Sequence, residues 1–177
     1  MNDHVDIGAL IEAVANRAAS FLQDEIGIVP SAIRYHLENV QKLELRHLTS
    51  LMSVEGYSPL YLAMSFDESL IEHAFAVYAK DIEYDASERD MYLEETAGDI
   101  VNIIVGNATS SIGAPPGKPV RLSPPVIITE ARSIFRLKAA QFFTAGLETD
   151  HGTLEILCIG PKDLFDEHLN YLERREA

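Results

Sequence analysis

The chain has 177 residues, 47% of them hydrophobic and 24% charged, a composition typical of an ordinary globular protein, and we expect residues 1–177 to form a single domain. The 28 acidic residues outnumber the 14 basic ones and give a net charge of −14, which disfavours binding to nucleic acid or to anionic membranes. The sequence has no signal-peptide pattern and no apolar run near the ~20 residues of a membrane span, so we expect a cytoplasmic protein.

The first half of the chain predicts a helix, a β-hairpin and a second helix. Apolar residues recur at three- and four-residue steps over residues 7–22, which is typical of an amphipathic helix, and Gly27 follows its end. Residues 43–54 and 60–66 flank a Gly- and Pro-containing turn and predict two hairpin strands. Residues 68–80 have a helical pattern again, with Asp67 or Ser65 as the expected N-cap.

The second half predicts a long helix, a loop, three strands and a terminal helix. These are expected at residues 90–110 (helix), 113–119 (loop), 122–128 (extended segment entering a strand), 135–147 and 153–159 (hairpin strands), and 162–173 (helix). Helices mixed with hairpins indicate an α+β fold with a mainly antiparallel sheet. Cys158, which is the one cysteine of the sequence, lies in an apolar strand pattern and is expected to be a buried thiol.

The helix predicted over residues 90–110 has two contrasting faces. At 100° per residue, one broad apolar face contains Leu93, Ala97, Ile100, Val101, Ile104, Val105 and Ala108. Glu95, Asp99, Asn102 and Gly106 follow one another along the opposite face, about one turn apart. A glycine inside a helix costs about 1 kcal/mol relative to alanine, so we interpret Gly98 and Gly106 as leaving room for the backbone of a partner protein.

This helix carries a recognisable motif. The run Asp99-x-x-Asn102-x-x-x-Gly106-Asn107-Ala108 resembles the acidic-x-x-Asn signature, with its following Gly-Asn-Ala, of the CheX branch of the CheC/CheX/FliY chemotaxis phosphatases. Residues 61–70 resemble the strand that leads into a helix in that family, and residues 122–127 resemble its Ser/Leu-Pro-x-Val segment. The resemblance spans about residues 5–160. It implies a two-layer fold, a mainly antiparallel sheet covered by helices.

The resemblance also implies an activity and a partner. Members of the family hydrolyse the phospho-aspartate of a CheY-like response regulator. Asn102 would orient the attacking water and Asp99 would pair with a lysine of the regulator, while Glu95, Gly98 and Gly106 would contact the partner. The Mg²⁺ ion would belong to the regulator, so no metal or other cofactor is expected on this chain. The resemblance further implies a homodimer formed through sheet edges, for which we expect the strand over residues 135–147.

A second function remains open because the family usually has glutamate where this chain has Asp99. The alternative is a non-catalytic CheX-like module that binds a response regulator or another two-component partner. Other enzyme classes are disfavoured by the motifs. The six histidines form no i, i+4 pair or HExxH motif, and the sequence lacks a G-x-S-x-G elbow, a P-loop and a GxGxxG run.

Overall fold

The main feature of the fold is an antiparallel sheet with helices packed on one face. The computed structural model describes residues 7–38, 40–56, 59–113 and 119–172. Its α-helices are α1 (Ile7–Phe21), α2 (Glu68–Tyr78) and α3 (Arg89–Ile112). Its strands are β1 (Ala32–His36), β2 (Lys42–Leu45), β3 (Leu48–Glu55), β4 (Leu60–Phe66), β5 (Arg121–Leu122), β6 (Val126–Ile128), β7 (Arg132–Phe135), β8 (Gln141–Thr149) and β9 (Gly152–Gly160).

The strands form two sheets in which every described pair is antiparallel. The larger sheet has the order β1-β8-β9-β4-β3-β5, with β6 also paired to β3, and the smaller sheet pairs β2 with β7. The predicted α+β class with a helix-covered antiparallel sheet is confirmed. None of the helices in the described ranges is long and apolar enough to cross a membrane.

The predicted opening helix is confirmed. Its apolar stripe, from Leu10 to Phe21, is buried against the sheet and against α3. A π-helical turn, Leu22–Ile26, extends it, and Gly27 then adopts φ 79° while its N–H donates to the carbonyl of Leu22. Glycine has no Cβ and adopts this left-handed conformation without strain, so the helix ends here.

Both faces of the large sheet are covered. Side chains on one face pack on the helices, and side chains on the other pack under the β2/β7 ribbon and the segment that follows β9. All of β4 and nearly all of β3 are therefore buried. The predicted strand over residues 43–54 is wrong in one respect, because it is two strands in different sheets. The chain turns between them at Arg46, whose N–H donates to Ser65 Oγ at 2.6 Å.

The N-cap of α2 differs in detail from the prediction. Asp67 occupies the cap position in an extended conformation, whereas Ser65 lies within β4. The carboxylate of Asp67 does not cap the helix with a hydrogen bond. It accepts instead from the N–H of Thr153 at 2.7 Å and from Arg46 Nη1 at 2.8 Å, so it joins α2 to the start of β9.

The predicted strand over residues 135–147 begins later in the structure, because Phe135 ends β7, a turn follows, and β8 starts at Gln141. The β8 strand lies between β1 and β9 in the sheet, so it is not an edge strand. This strand therefore has no open edge for the predicted homodimer contact, and that part of the prediction is wrong. The predicted hairpin turn between β8 and β9 is confirmed, and Gly152 adopts φ 106° there.

The predicted helix over residues 162–173 is wrong within the described residues. A short 3₁₀ turn, Lys162–Leu164, is followed by an isolated bridge between Phe165 and Tyr171. The carboxylate of Asp166 accepts from the backbone N–H groups of His168 at 2.8 Å and Asn170 at 2.9 Å. Such local bonds replace helical ones and favour a turn. Residue 173 lies outside the described residues.

Candidate functional site

Helix α3 holds the candidate site, and its buried face fixes its orientation. The seven apolar residues predicted to face the core are all buried. They pack against α1, α2 and β3, so the helix cannot rotate without losing core contacts. The opposite face carries Glu95, Asp99, Asn102 and Gly106, which we term the polar stripe. This face points outward because the apolar face is buried.

The polar side chains of the stripe are exposed. Glu95, Asp99 and Asn102 are exposed, and Gly106 is half-buried. Within the described part of the chain, the side chains of Asp99 and Asn102 make no hydrogen bond. An acceptor-only carboxylate and an amide that both donates and accepts thus stand one turn apart, available to another molecule.

Gly98 was predicted to lie open on this face, and this prediction is wrong. It is buried, and a Cβ atom at this position would be 3.3 Å from Cγ of Pro125. The connection between β5 and β6 is held there by Ser123, whose N–H donates to the carbonyl of Ser53 at 3.1 Å and whose Oγ accepts from the N–H of Ser53 at 2.9 Å. Gly98 is therefore explained by packing within the chain.

Gly106 fits the prediction of an open position. Nothing lies within 4 Å of the place where its Cβ would be. Its carbonyl accepts from the hydroxyls of Thr109 at 3.2 Å and Ser110 at 2.8 Å, which satisfies the backbone near the end of the helix. Ile103, next to Asn102, is 38% exposed and adds an apolar contact surface. No neighbour in the described structure requires a glycine at position 106.

A groove of about 370 Å³ lies on one side of the stripe, between α3 and the β5–β6 connection. It is lined by Met91, Glu94, Glu95, Gly98, Asp99, Pro125 and Ile127. The residues from 122 onward were recognised from the sequence as a family segment, but their contact with α3 was not predicted. Pro125 packs on Gly98, the residue before Asp99, and forms one wall of the groove.

A second groove of about 140 Å³ lies on the other side of the stripe, and we term it the aromatic groove. It is lined by Phe75, Tyr78, Ala79, Ile82, Tyr84, Tyr92, Glu95, Thr96 and Asp99. Burial raises the pKa of Tyr78, and the charges of Glu25 and Asp99 raise it further. The sequence did not predict this groove, because Tyr84 lies between two predicted helices, where no local pattern shows against which residues it packs.

The remaining candidate chemical groups lie elsewhere. In the described ranges no three His, Cys, Asp or Glu side chains come together as a metal site. Cys158 is buried as predicted, and burial raises the pKa of its thiol to about 12. The rings of His73 and His151 pack with their centroids 4.0 Å apart, a contact between α2 and the β8–β9 turn.

Comparisons with solved structures show relatives of the same fold. The chain is similar to the chemotaxis protein CheX from Desulfovibrio desulfuricans, with a TM-score of 0.69 and 12% identity over 84% of this chain and 97% of that one. CheX from Vibrio vulnificus gives a TM-score of 0.64 and 15% identity over 85% and 99%. The CheX–CheY–BeF3–Mg²⁺ complex from Borrelia burgdorferi gives a TM-score of 0.59 and 18% identity over 85% and 96%.

Sequence comparison identifies the family. No curated protein sequence matches the chain. A sequence model of the family described as "Chemotaxis phosphatase CheX" matches residues 48–146, which is more than half of the chain and includes β3, β4, α2, α3 and most of β8. The chain therefore belongs to the CheX family of chemotaxis phosphatases.

Proposed function

We propose that this protein accelerates hydrolysis of the phospho-aspartate of a CheY-like response regulator, with Asn102 orienting the attacking water. One observation carries the proposal. Asp99 and Asn102 are exposed one turn apart, without hydrogen-bond partners in the described structure, on a helix whose other face is buried. In a member of a chemotaxis phosphatase family, this arrangement suits insertion into the active site of a partner.

The chemistry needs no covalent intermediate on this chain. Water attacks phosphorus in line, a new O–P bond forms, and the bond between phosphorus and the aspartyl oxygen breaks to give inorganic phosphate and a carboxylate. The catalyst contributes by positioning the water and by stabilising charge. The amide oxygen of Asn102 accepts a hydrogen bond from the water, while its NH₂ group donates elsewhere.

The neighbouring residues of the stripe set the register of the complex. We assign Asp99 to an ion pair with a lysine of the regulator, Glu95 to the rim of the contact, and Gly106 to a close approach of the regulator backbone. The Mg²⁺ ion is assigned to the regulator. The choice of a CheY-like partner is supported by the Borrelia burgdorferi relative, a CheX in complex with CheY, BeF3 and Mg²⁺.

The test measures dephosphorylation and binding separately. Purified response regulators of the host are phosphorylated, and the loss of phosphate is followed with and without the protein. The protein should accelerate the loss, and Asn102→Ala should abolish the acceleration while retaining affinity for a BeF3-loaded regulator. If the unmodified protein binds the loaded regulator but leaves the decay rate unchanged, the phosphatase proposal is wrong.

That result would favour the second candidate, a non-catalytic module that binds a regulator. The aspartate at position 99 supports it, because the side chain is shorter than glutamate by one carbon–carbon bond, about 1.5 Å.

The homodimer and the cytoplasmic location remain predictions. Light scattering coupled to size exclusion tests the first, and a monomer mass would contradict it.

A further inference from the structure

We propose that the aromatic groove receives a second basic side chain of the response regulator, separate from the lysine assigned to Asp99. This inference rests on the proposed function, since it gives that partner a second point of contact. Glu95 and Asp99 of the polar stripe also line the groove. A protein that contacts Asp99 must therefore also lie over one end of the groove.

The walls of the groove are aromatic rings that support one another. The ring of Tyr84 meets Phe75 edge-on at a centroid distance of 5.4 Å and meets Tyr92 at 5.6 Å. Tyr78 packs on Phe21 of α1 at 6.5 Å. Aromatic faces attract cations because the ring quadrupole is negative on the face. The groove therefore offers several ring surfaces to a cationic group.

The charges in the groove complement a cation. Glu95 and Asp99 stand at its border with the stripe, and no lysine or arginine is among its described lining residues. Besides burial, the negative charges of Glu25 and Asp99 raise the pKa of Tyr78, which shows that the groove lies in a negative field. The whole chain carries a net charge of −14, which steers a basic surface of a partner toward it.

The same aromatic cluster already holds a cation from this chain. The guanidinium of Arg89 lies 5.5 Å from the centre of the Phe75 ring and pairs with the carboxylate of Glu72. A ring and a carboxylate together thus bind one basic group at Phe75, which also lines the groove. Tyr84, Tyr92 and Glu95 provide rings and a carboxylate in the rest of the groove, and no lysine or arginine of the described residues lies over the Tyr84 or Tyr92 ring. A basic side chain of the regulator therefore fits this chemistry.

The test compares binding by four variants. Fluorescently labelled host regulators, loaded with BeF3 and Mg²⁺, are titrated with each variant. Tyr84→Ala removes a ring, and Tyr84→Phe keeps it. Glu95→Gln removes a charge in the groove, and Glu83→Gln removes an equivalent exposed charge from the neighbouring connector. Urea unfolding of Tyr84→Ala checks that the variant is folded.

Tyr84→Ala and Glu95→Gln should each raise Kd about fivefold, whereas both control variants should stay within about twofold of the unmodified protein. The effect of Glu95→Gln should shrink as salt rises from about 0.05 to about 0.5 M. At saturating protein, Glu83→Gln should leave the rate of dephosphorylation unchanged, since Glu83 lies outside both the groove and the face of α3 that carries Asn102.

The outcomes separate this inference from the proposed activity. If the unmodified protein accelerates dephosphorylation but Tyr84→Ala and Glu95→Gln keep its Kd, the groove inference is overturned and the phosphatase stands. If the Kd pattern appears without any acceleration, the groove stands and the catalytic proposal fails. If no loaded regulator of the host binds the protein, both are overturned.

Discussion

Gly98 lies directly beneath Pro125, so close that a Cβ atom on the glycine would be 3.3 Å from Cγ of the proline. This contact seats the β5–β6 connection on α3 one residue before Asp99. The contact also distinguishes two glycines that occupy similar positions in the sequence of α3. Gly98 permits packing within the chain, whereas Gly106 faces open space.

We expect Gly106→Ala to be more stable than Gly98→Ala by about 1 kcal/mol or more. Both substitutions gain helix propensity, but only the methyl group at position 98 presses on Pro125. The measurement is the free energy of unfolding in urea, with each variant compared to the unmodified protein. Equal stabilities would contradict the packing role of Gly98.

The open position at Gly106 also predicts an effect on binding. A methyl group there should weaken affinity for a BeF3-loaded regulator while it stabilises the free protein, because it occupies space assigned to the backbone of the partner. Titration of Gly106→Ala gives the Kd, and Ser20→Ala is a control, a small change at an exposed position of α1. Unchanged affinity would remove Gly106 from the contact.

The length of the side chain at position 99 should limit the rate. Asp99→Glu extends the carboxylate by about 1.5 Å, and we expect it to raise the dephosphorylation rate about tenfold by improving the register of Asn102. The matched control is Asp90→Glu, the same change at an exposed position in the first turn of α3. A lower rate for Asp99→Glu would show that the aspartate already fits the partner.

The thiol of Cys158 should be inert in the folded protein. Because burial raises its pKa to about 12, it stays protonated at pH 8, and a thiol reagent such as DTNB should react at least about a hundredfold faster after unfolding in urea. A thiol in the unfolded chain has a pKa of ~8.5 and loses its proton above that pH, whereas the buried thiol keeps it. The free energy of unfolding should therefore fall as the pH rises above that value. Rapid labelling of the native protein would contradict this placement.

The turn at Asp166 should depend on pH. Burial acts to raise the pKa of this carboxyl, but the hydrogen bonds from Asn170 and His168 together lower it below its usual value. A lowered folded-state pKa gives stability that is present above the unfolded pKa of ~3.9 and is lost as the pH falls through the folded value. Asp166→Ala should therefore lower Tm by about 2–4 °C at pH 6 and by less at pH 3, which lies below the unfolded pKa.

Glu167→Ala is the control for this measurement, since it removes an exposed neighbouring carboxylate that takes no part in the turn bonds. Thermal unfolding followed by circular dichroism at both pH values gives the comparison. The same loss of Tm at pH 3 and pH 6 would show that the ionised carboxylate is not responsible.

Much of α3 could be predicted from the sequence because a helix is a local structure. The spacing of its apolar residues determined which face is buried, and this alone turned Asp99 and Asn102 outward together. The family motif on that outer face is likewise a matter of a few consecutive residues. The hairpin of β3 and β4, α1 and α2 followed from the same short-range patterns.

Long-range contacts decided the rest. The alternation over residues 43–54 and 135–147 could not show where each strand leaves one sheet for another, because alternation has the same period in both sheets. Only strand order revealed that β8 is internal, and only tertiary packing brought Pro125 onto Gly98 and Tyr84 beside Tyr92. The outward placement of Asp99 and Asn102 was thus set by helical periodicity, whereas the surfaces on either side of them arose from segments distant in sequence that fold against the same helix.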